Sequence, residues 1–137
     1  SDHDRPLNKR GKRDAPYIGE FLKRRQLVPD LILSSTAKRA RKTAQAVAKA
    51  SGYDGKVEMI TSFYHSEPKT YISQLADLPD IYQRVMVVGH NPTLEMLVTQ
   101  LTNCFETMLP NWKIMLLGLR INPIGSETML FHGEAML

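Results

Sequence analysis

The sequence predicts an α/β fold, a three-layer α/β/α sandwich with a mostly parallel central sheet. Two observations carry that expectation. Short apolar, β-branched runs alternate along the chain with segments whose apolar residues recur at helical spacing, the pattern of strands joined by crossover helices. The clearest junction is Val85-Met86-Val87-Val88-Gly89-His90-Asn91-Pro92, where a buried-strand pattern ends on a histidine and an apolar helical run begins. The chain has 137 residues, 42% hydrophobic and 23% charged, which suits one domain over residues 1–137 with a real core. It has no internal repeat, low-complexity segment or linker.

Each element has a local reason. Residues 1–7 form a loop, and Asn8 is a plausible N-cap. Ala15, Ile18, Phe21 and Leu22 then give one apolar helical face up to residue 25, with Pro16 expected to bend the helix or limit its first segment. A turn over 26–30 leads to a short buried strand, 31–33, and Ser34-Ser35-Thr36 reads as loop and helix cap. The next helix, 37–50, carries Ala40, Ala44, Val47 and Ala48 on one face, and Ser51-Gly52-Tyr53-Asp54-Gly55 ends it. Residues 57–60 form a strand. Pro68 opens a short helix with Tyr71, Ile72 and Leu75 on one side, and Leu78-Pro79-Asp80 breaks it. After the strand at residue 85, Asn91 is expected to cap a helix with Pro92 in its first position. That helix, 93–102, turns Leu94, Leu97, Val98 and Leu101 inward. Strands at 114–121 and 128–131 follow, separated by Asn122-Pro123-Ile124-Gly125.

Composition narrows the function classes. The formal net charge is +4, concentrated in Lys9-Arg10 with Lys12-Arg13, in Lys23-Arg24-Arg25, and in Lys38-Arg39 with Arg41-Lys42. These clusters alternate with apolar helical positions, and no aromatic stacking pattern joins them. Most of these charges read as solvated helix faces rather than a nucleic-acid surface, while a few of the arginines call for a sharper explanation. No apolar run approaches membrane-spanning length, and no secretory signal opens the sequence. The single cysteine, Cys104, excludes an intrachain disulfide and a cysteine-rich zinc site, and fits a cytoplasmic setting. No metal or cofactor is expected.

The candidate site lies at the carboxyl ends of the strands, where open α/β sheets bind ligands. His90 ends one strand beside a helix N-terminus, whose free N–H groups and dipole favour an anion. Arg39 stands in the first turn of the helix after the 31–33 strand. There it opposes the helix dipole unless an anion offsets it. Its planar fork suits phosphate. If the two strands are neighbours, Arg39 and His90 share one crevice. Arg5, in a loop just before the first helix, could fold over the same crevice.

Three segments then occur in order: Asp4-Arg5-Pro6-Leu7-Asn8-Lys9-Arg10-Gly11, Leu33-Ser34-Ser35-Thr36-Ala37-Lys38-Arg39-Ala40-Arg41-Lys42-Thr43-Ala44, and Val87-Val88-Gly89-His90-Asn91-Pro92. Together, over residues 1–103, they resemble the histidine phosphatase superfamily, which includes the phosphoglycerate mutases. The short chain and the Arg-Pro-Leu loop are most similar to its SixA-type phosphohistidine phosphatases. The resemblance implies a phosphoglycerate mutase-like form of the fold and a phosphate pocket of two histidines and several arginines. One histidine of the family is a nucleophile that carries the phosphoryl group as phosphohistidine. By resemblance Arg39 is a central phosphate-binding arginine, His90 is the second histidine, and Arg5 matches a pocket arginine of the SixA-like branch. Arg5, Arg39, His90 and Asn91 make the expected phosphate-binding set, with Arg39 and His90 catalytic. The family's nucleophile lies in an Arg-His-Gly or Arg-His-Ala motif ending the first strand. This sequence holds no such motif, and His3, His65 and His132 lack its context. The expectation is that the sequence begins downstream of that strand.

The implied chemistry is metal-free phosphoryl transfer. Arginines hold the non-bridging oxygens, and His90, protonated or donating, supports the charge that develops on them. Glu67 or His65, in Phe63-Tyr64-His65-Ser66-Glu67, is a candidate acid for the leaving group, although Ser66 or Glu67 capping the Pro68 helix is the simpler reading. The expected substrate is a phosphohistidine-bearing protein. The alternatives are a small phosphate ester or, for a chain truly starting at Ser1, non-catalytic binding of phosphate or nucleic acid.

Overall fold

The structure, a computed structural model, describes residues 1–79, 81–108, 113–121 and 127–132, with side chains described up to residue 101. Helix α1, Lys9–Arg24, opens on Asn8, whose side chain accepts the Gly11 N–H at 2.8 Å. The expected cap is therefore present. Pro16 does not limit the first segment, since α1 continues as one helix through it.

Strand β1, Leu31–Ser35, is longer than its apolar run. Ser34 and Ser35 were expected in a loop, but they continue the strand because ladder partners are in place. Ser34 pairs with Met59 and Val88, and Ser35 with Ile60. Their hydroxyls are satisfied locally: Ser34 Oγ donates to the Ser35 carbonyl at 3.0 Å, and Ser35 Oγ accepts the Ala37 N–H at 3.3 Å. Helix α2, Lys38–Ser51, follows Ala37 and ends at Gly52, whose φ of 77° is left-handed and suits glycine. Gly19 lets α1 lie close to α2, since a Cβ there would stand 2.6 Å from Ala50 Cβ.

Strand β2 is Val57–Ile60, a 3-10 turn covers Thr61–Phe63, and α3 is Pro68–Ala76. Strand β3, Arg84–His90, leads to α4, Thr93–Met108, which outruns the expected end at residue 102. Strands β4, Lys113–Ile121, and β5, Glu127–His132, fall where two strands were expected. The expected separator Asn122-Pro123-Ile124-Gly125 lies outside the described residues, as does Asp80 of the expected break after α3.

The sheet order is β2-β1-β3-β4-β5, with parallel pairing up to β4 and β5 antiparallel to β4. Alternation along β1 and β3 makes the three layers. Ile32, Met86 and Val88 pack with Ala15, Leu22, Ala40, Ala44 and Val47 of α1 and α2. Leu31, Leu33, Val85 and Val87 pack on the other face with Tyr71, Leu75, Leu94, Leu97 and Leu101 of α3 and α4. The fold is thus α/β with helices on both faces, as the alternating pattern predicts. Among the described residues no helix is long and apolar enough to cross a membrane, and no three His, Cys, Asp or Glu side chains gather as a metal site.

Candidate active site

Because β1 and β3 are parallel neighbours, their carboxyl ends lie side by side. That places the start of α2 beside the end of β3. A cavity of about 320 Å³ opens there, lined in part by Asp2, Arg39, Tyr64, His65, His90 and Asn91. Arg39 and His90 therefore share one crevice.

Arg39 differs from the other cations of the three basic clusters. Those are exposed, whereas Arg39 is only 4% exposed. Its Nη1 donates to the Asp2 carbonyl at 2.8 Å, and its Nη2 lies 3.2 Å from Asp2 Oδ2. Its Nε is buried without a partner. The first five residues fold back over the strand ends and are tied down there. The His3 carbonyl accepts the Lys38 N–H at 2.9 Å at the start of α2, and His3 Nε2 lies 3.1 Å from Thr36 Oγ1.

This fold-back puts the Asp2 carboxylate among the cations. Tyr64 O–H donates to Oδ2 at 2.8 Å, Arg39 shares that oxygen, and Arg5 Nη2 lies 3.5 Å from Oδ1. The Tyr64 hydroxyl above all, then the two guanidiniums, hold this carboxyl below its ordinary value. Arg5 thus reaches the same anion as Arg39.

His90 Nε2 lies 2.9 Å from Ser35 Oγ. Burial, reinforced by the Arg39 charge, pushes its imidazole down to about 4. The ring is neutral at pH 7, so of the two expected states of His90, protonated or donating, the protonated one falls away. Ser35 Oγ accepts from the Ala37 N–H and keeps one donor and one acceptor site, so its contact with His90 Nε2 suits either tautomer. With Ser35 donating, the ring proton sits on Nδ1; in both tautomers Nδ1 is buried and has no partner.

Asn91 also lines the cavity, but not as the expected cap. The Met96 N–H donates to the Pro92 carbonyl at 3.1 Å, so Pro92 takes the cap position and α4 starts at Thr93. The Asn91 Nδ2 is buried and unpartnered.

The two acid candidates separate. His65 lines the cavity. Glu67 is exposed, lies 3.2 Å from Lys69 Nζ, and is not among the lining residues. The expected side-chain cap of α3 is also absent. Glu67 occupies the N-cap without a side-chain bond, and the Ser66 hydroxyl donates to the Phe63 carbonyl instead.

Three groups in or beside this arrangement were not foreseen: Asp2, Tyr64 and Ser35. Tyr64 had a usable signal, a phenol just past the carboxyl end of a strand. Asp2 had none, since its place depends on the fold-back of the chain.

The profile of the histidine phosphatase superfamily (branch 1) matches residues 1–62. An uncharacterized protein of Mycobacterium tuberculosis is 35% identical over 107 residues, which cover 78% of this chain and 65% of the relative. The chain thus spans just under two thirds of that relative's length. The solved structure of a candidate phosphohistidine phosphatase SixA from Agrobacterium tumefaciens is 38% identical with a TM-score of 0.69, over 80% of this chain and 71% of that one. A protein histidine phosphatase SixA solved with tungstate is 20% identical with a TM-score of 0.70, over 98% and 88% of the two chains, a likeness of fold alone. The chain belongs to the histidine phosphatase superfamily, in its SixA-type branch.

Proposed function

We propose that this chain forms the phosphate cradle of a phosphohistidine phosphatase. In the intact protein the enzyme removes a phosphoryl group from a histidine of another protein, through a covalent phosphohistidine intermediate. The observation that carries the reading is a set of buried nitrogens left open at the crevice: Arg39 Nε and Asn91 Nδ2, both donors, and His90 Nδ1, a donor when Ser35 donates to Nε2. A buried donor without a partner costs about 1–3 kcal/mol. Several of them meeting around one cavity are the mark of a site built for an anion that supplies acceptors. Arg39 brings a permanent charge, and neutral His90, in the tautomer with Ser35 donating to Nε2, brings a donor on Nδ1.

Phosphorus would be attacked in line by a neutral histidine of the family's Arg-His motif. Arg39 and Arg5 would hold non-bridging oxygens, and His90 and Asn91 would donate to the charge that builds there. Water then hydrolyses the phosphoenzyme. The choice of substrate follows from the acids. Among the described residues, the one carboxyl lining the cavity is Asp2, which its partners hold ionised. It is a poor proton donor at neutral pH. An imidazole leaving group, whose conjugate acid has a pKa of about 6.5, asks less of an acid than an alkoxide does. His65 is the titratable group left at the rim to assist. A reducing, cytoplasmic setting fits the single cysteine.

The test compares turnover of a phosphohistidine-bearing protein with turnover of sugar phosphates by the intact protein. Faster turnover of the protein substrate is expected, and preference for sugar phosphates would reverse the substrate assignment. Arg39→Ala and His90→Ala are each expected to lower turnover by at least about a hundredfold, as loss of a charge-stabilising donor does. Near-normal rates would remove those residues from the site.

A further inference from the structure

An anion already sits in the cradle, and one of its partners has no role in the motifs that define the site. Asp2 Oδ2 is shared by Arg39 Nη2 and the Tyr64 hydroxyl, at 3.2 and 2.8 Å, while Oδ1 faces Arg5. We propose that Tyr64 is a phosphate-binding residue: substrate displaces the Asp2 carboxylate, and the Tyr64 hydroxyl turns its proton to a non-bridging phosphoryl oxygen beside Arg39. This rests on the proposed reading of the crevice as a phosphate site.

The placement of Tyr64 favours that role. It directly follows the 3-10 turn Thr61–Phe63, and Phe63 anchors the turn by burial and by stacking on Tyr71 at 4.1 Å. The phenol ring is held among three imidazoles, with centroids at 4.9 Å for His3, 4.0 Å for His65 and 5.8 Å for His90. A ring fixed in this way presents its hydroxyl without much loss of rotamer freedom on binding. The phenol pKa is raised above its ordinary value, so the proton is there to donate. A carboxylate offers two oxygens and a bound phosphoryl group three. The same donors that share one Asp2 oxygen can therefore each take their own.

The competing explanation is that Tyr64 only pins Asp2 over the crevice. Removing Asp2 separates the two. Inorganic phosphate is titrated calorimetrically into the wild-type chain, Asp2→Ala, Asp2→Ala/Tyr64→Phe and Arg39→Ala. Phenylalanine keeps the ring and its imidazole neighbours, and unfolding midpoints verify that each variant is folded. Asp2→Ala is expected to bind phosphate several-fold more tightly than wild type, because the internal competitor is gone. Adding Tyr64→Phe is expected to weaken that binding about tenfold or more, the size of a hydrogen bond to a charged group. Equal affinity of Asp2→Ala and the double variant overturns the assignment of Tyr64. Wild-type affinity in Asp2→Ala overturns the displacement. If Arg39→Ala alone loses phosphate, the cradle stands while Tyr64 falls. If no chain binds phosphate, the cradle and this inference fall together.

Discussion

Replacing His90 by asparagine should flatten the loss of stability that this protein shows in acid. The cause is proton linkage. An unfolded histidine takes up its proton near 6.5, whereas burial beside Arg39 holds His90 neutral down to about 4. Between those values the unfolded chain binds more protons than the folded one, so stability falls as pH falls. The contribution is fully present above about 6.5 and is lost progressively towards about 4. With 1.36 kcal/mol per pKa unit, the loss is about 2 kcal/mol by pH 5 and roughly 3 kcal/mol near pH 4. Asparagine does not titrate and removes this slope, whatever it does to stability at neutral pH. Urea unfolding midpoints at several values between pH 7 and pH 4 measure it. Asp2, whose carboxyl is held low by its partners, loses its pairing at lower pH in both chains and cancels in the comparison. Parallel curves for wild type and His90→Asn would refute the neutral, buried imidazole.

Other outcomes follow from the same packing. Gly89→Ala puts a Cβ into the Tyr71 hydroxyl and 3.1 Å from its Cζ, and should destabilise by about 1–3 kcal/mol in thermal or urea unfolding. Tyr71→Phe removes that hydroxyl, so the alanine should cost measurably less in its background, and equal costs would place the clash elsewhere. Leu97→Ala empties a fully buried position under β3 and should cost about 2–5 kcal/mol by the same assay. Inorganic phosphate at about a hundred times its Kd should stabilise the wild-type chain by about 2.7 kcal/mol, and at the same concentration should do little for Arg39→Ala.

The fold was legible because it rests on periodicity. Leu31 to Leu33 and Val85 to Val88 announce strands with both faces buried, and Ala40, Ala44 and Val47 announce the face of α2, before any contact is known. Arg39 and His90 were legible for a related reason. Each stands at a strand-to-helix junction, and neighbouring parallel strands bring such junctions together. What escaped depends on pairing and on long-range return of the chain. Ser35 reads as loop by propensity and is strand only because Ile60 is its partner. Pro92 rather than Asn91 closes the first turn of α4, a choice between adjacent residues that spacing does not resolve. The Asp2 carboxylate reaches a group thirty-seven residues on, which no local pattern encodes.

The first turn of α2 explains why the cradle needs an occupant. A buried guanidinium at a helix N-terminus meets the positive end of the dipole and has been stripped of water, and each effect opposes its charge. Neutralisation by proton loss is not open to arginine. The remaining remedy is an anion within hydrogen-bond reach, and Asp2 supplies one from a half-exposed position at the cavity wall. On the proposed reading Asp2 is also replaceable. Its carboxylate answers Arg39 Nη2, Arg5 and Tyr64, but leaves Arg39 Nε and Asn91 Nδ2 without acceptors and His90 Nδ1 without a partner. A ligand with three oxygens and a second charge can satisfy more of this set than the carboxylate does. On the proposed reading of the crevice, the fold therefore holds its arginine with a weaker anion than phosphate, which keeps the cradle assembled and still lets phosphate in.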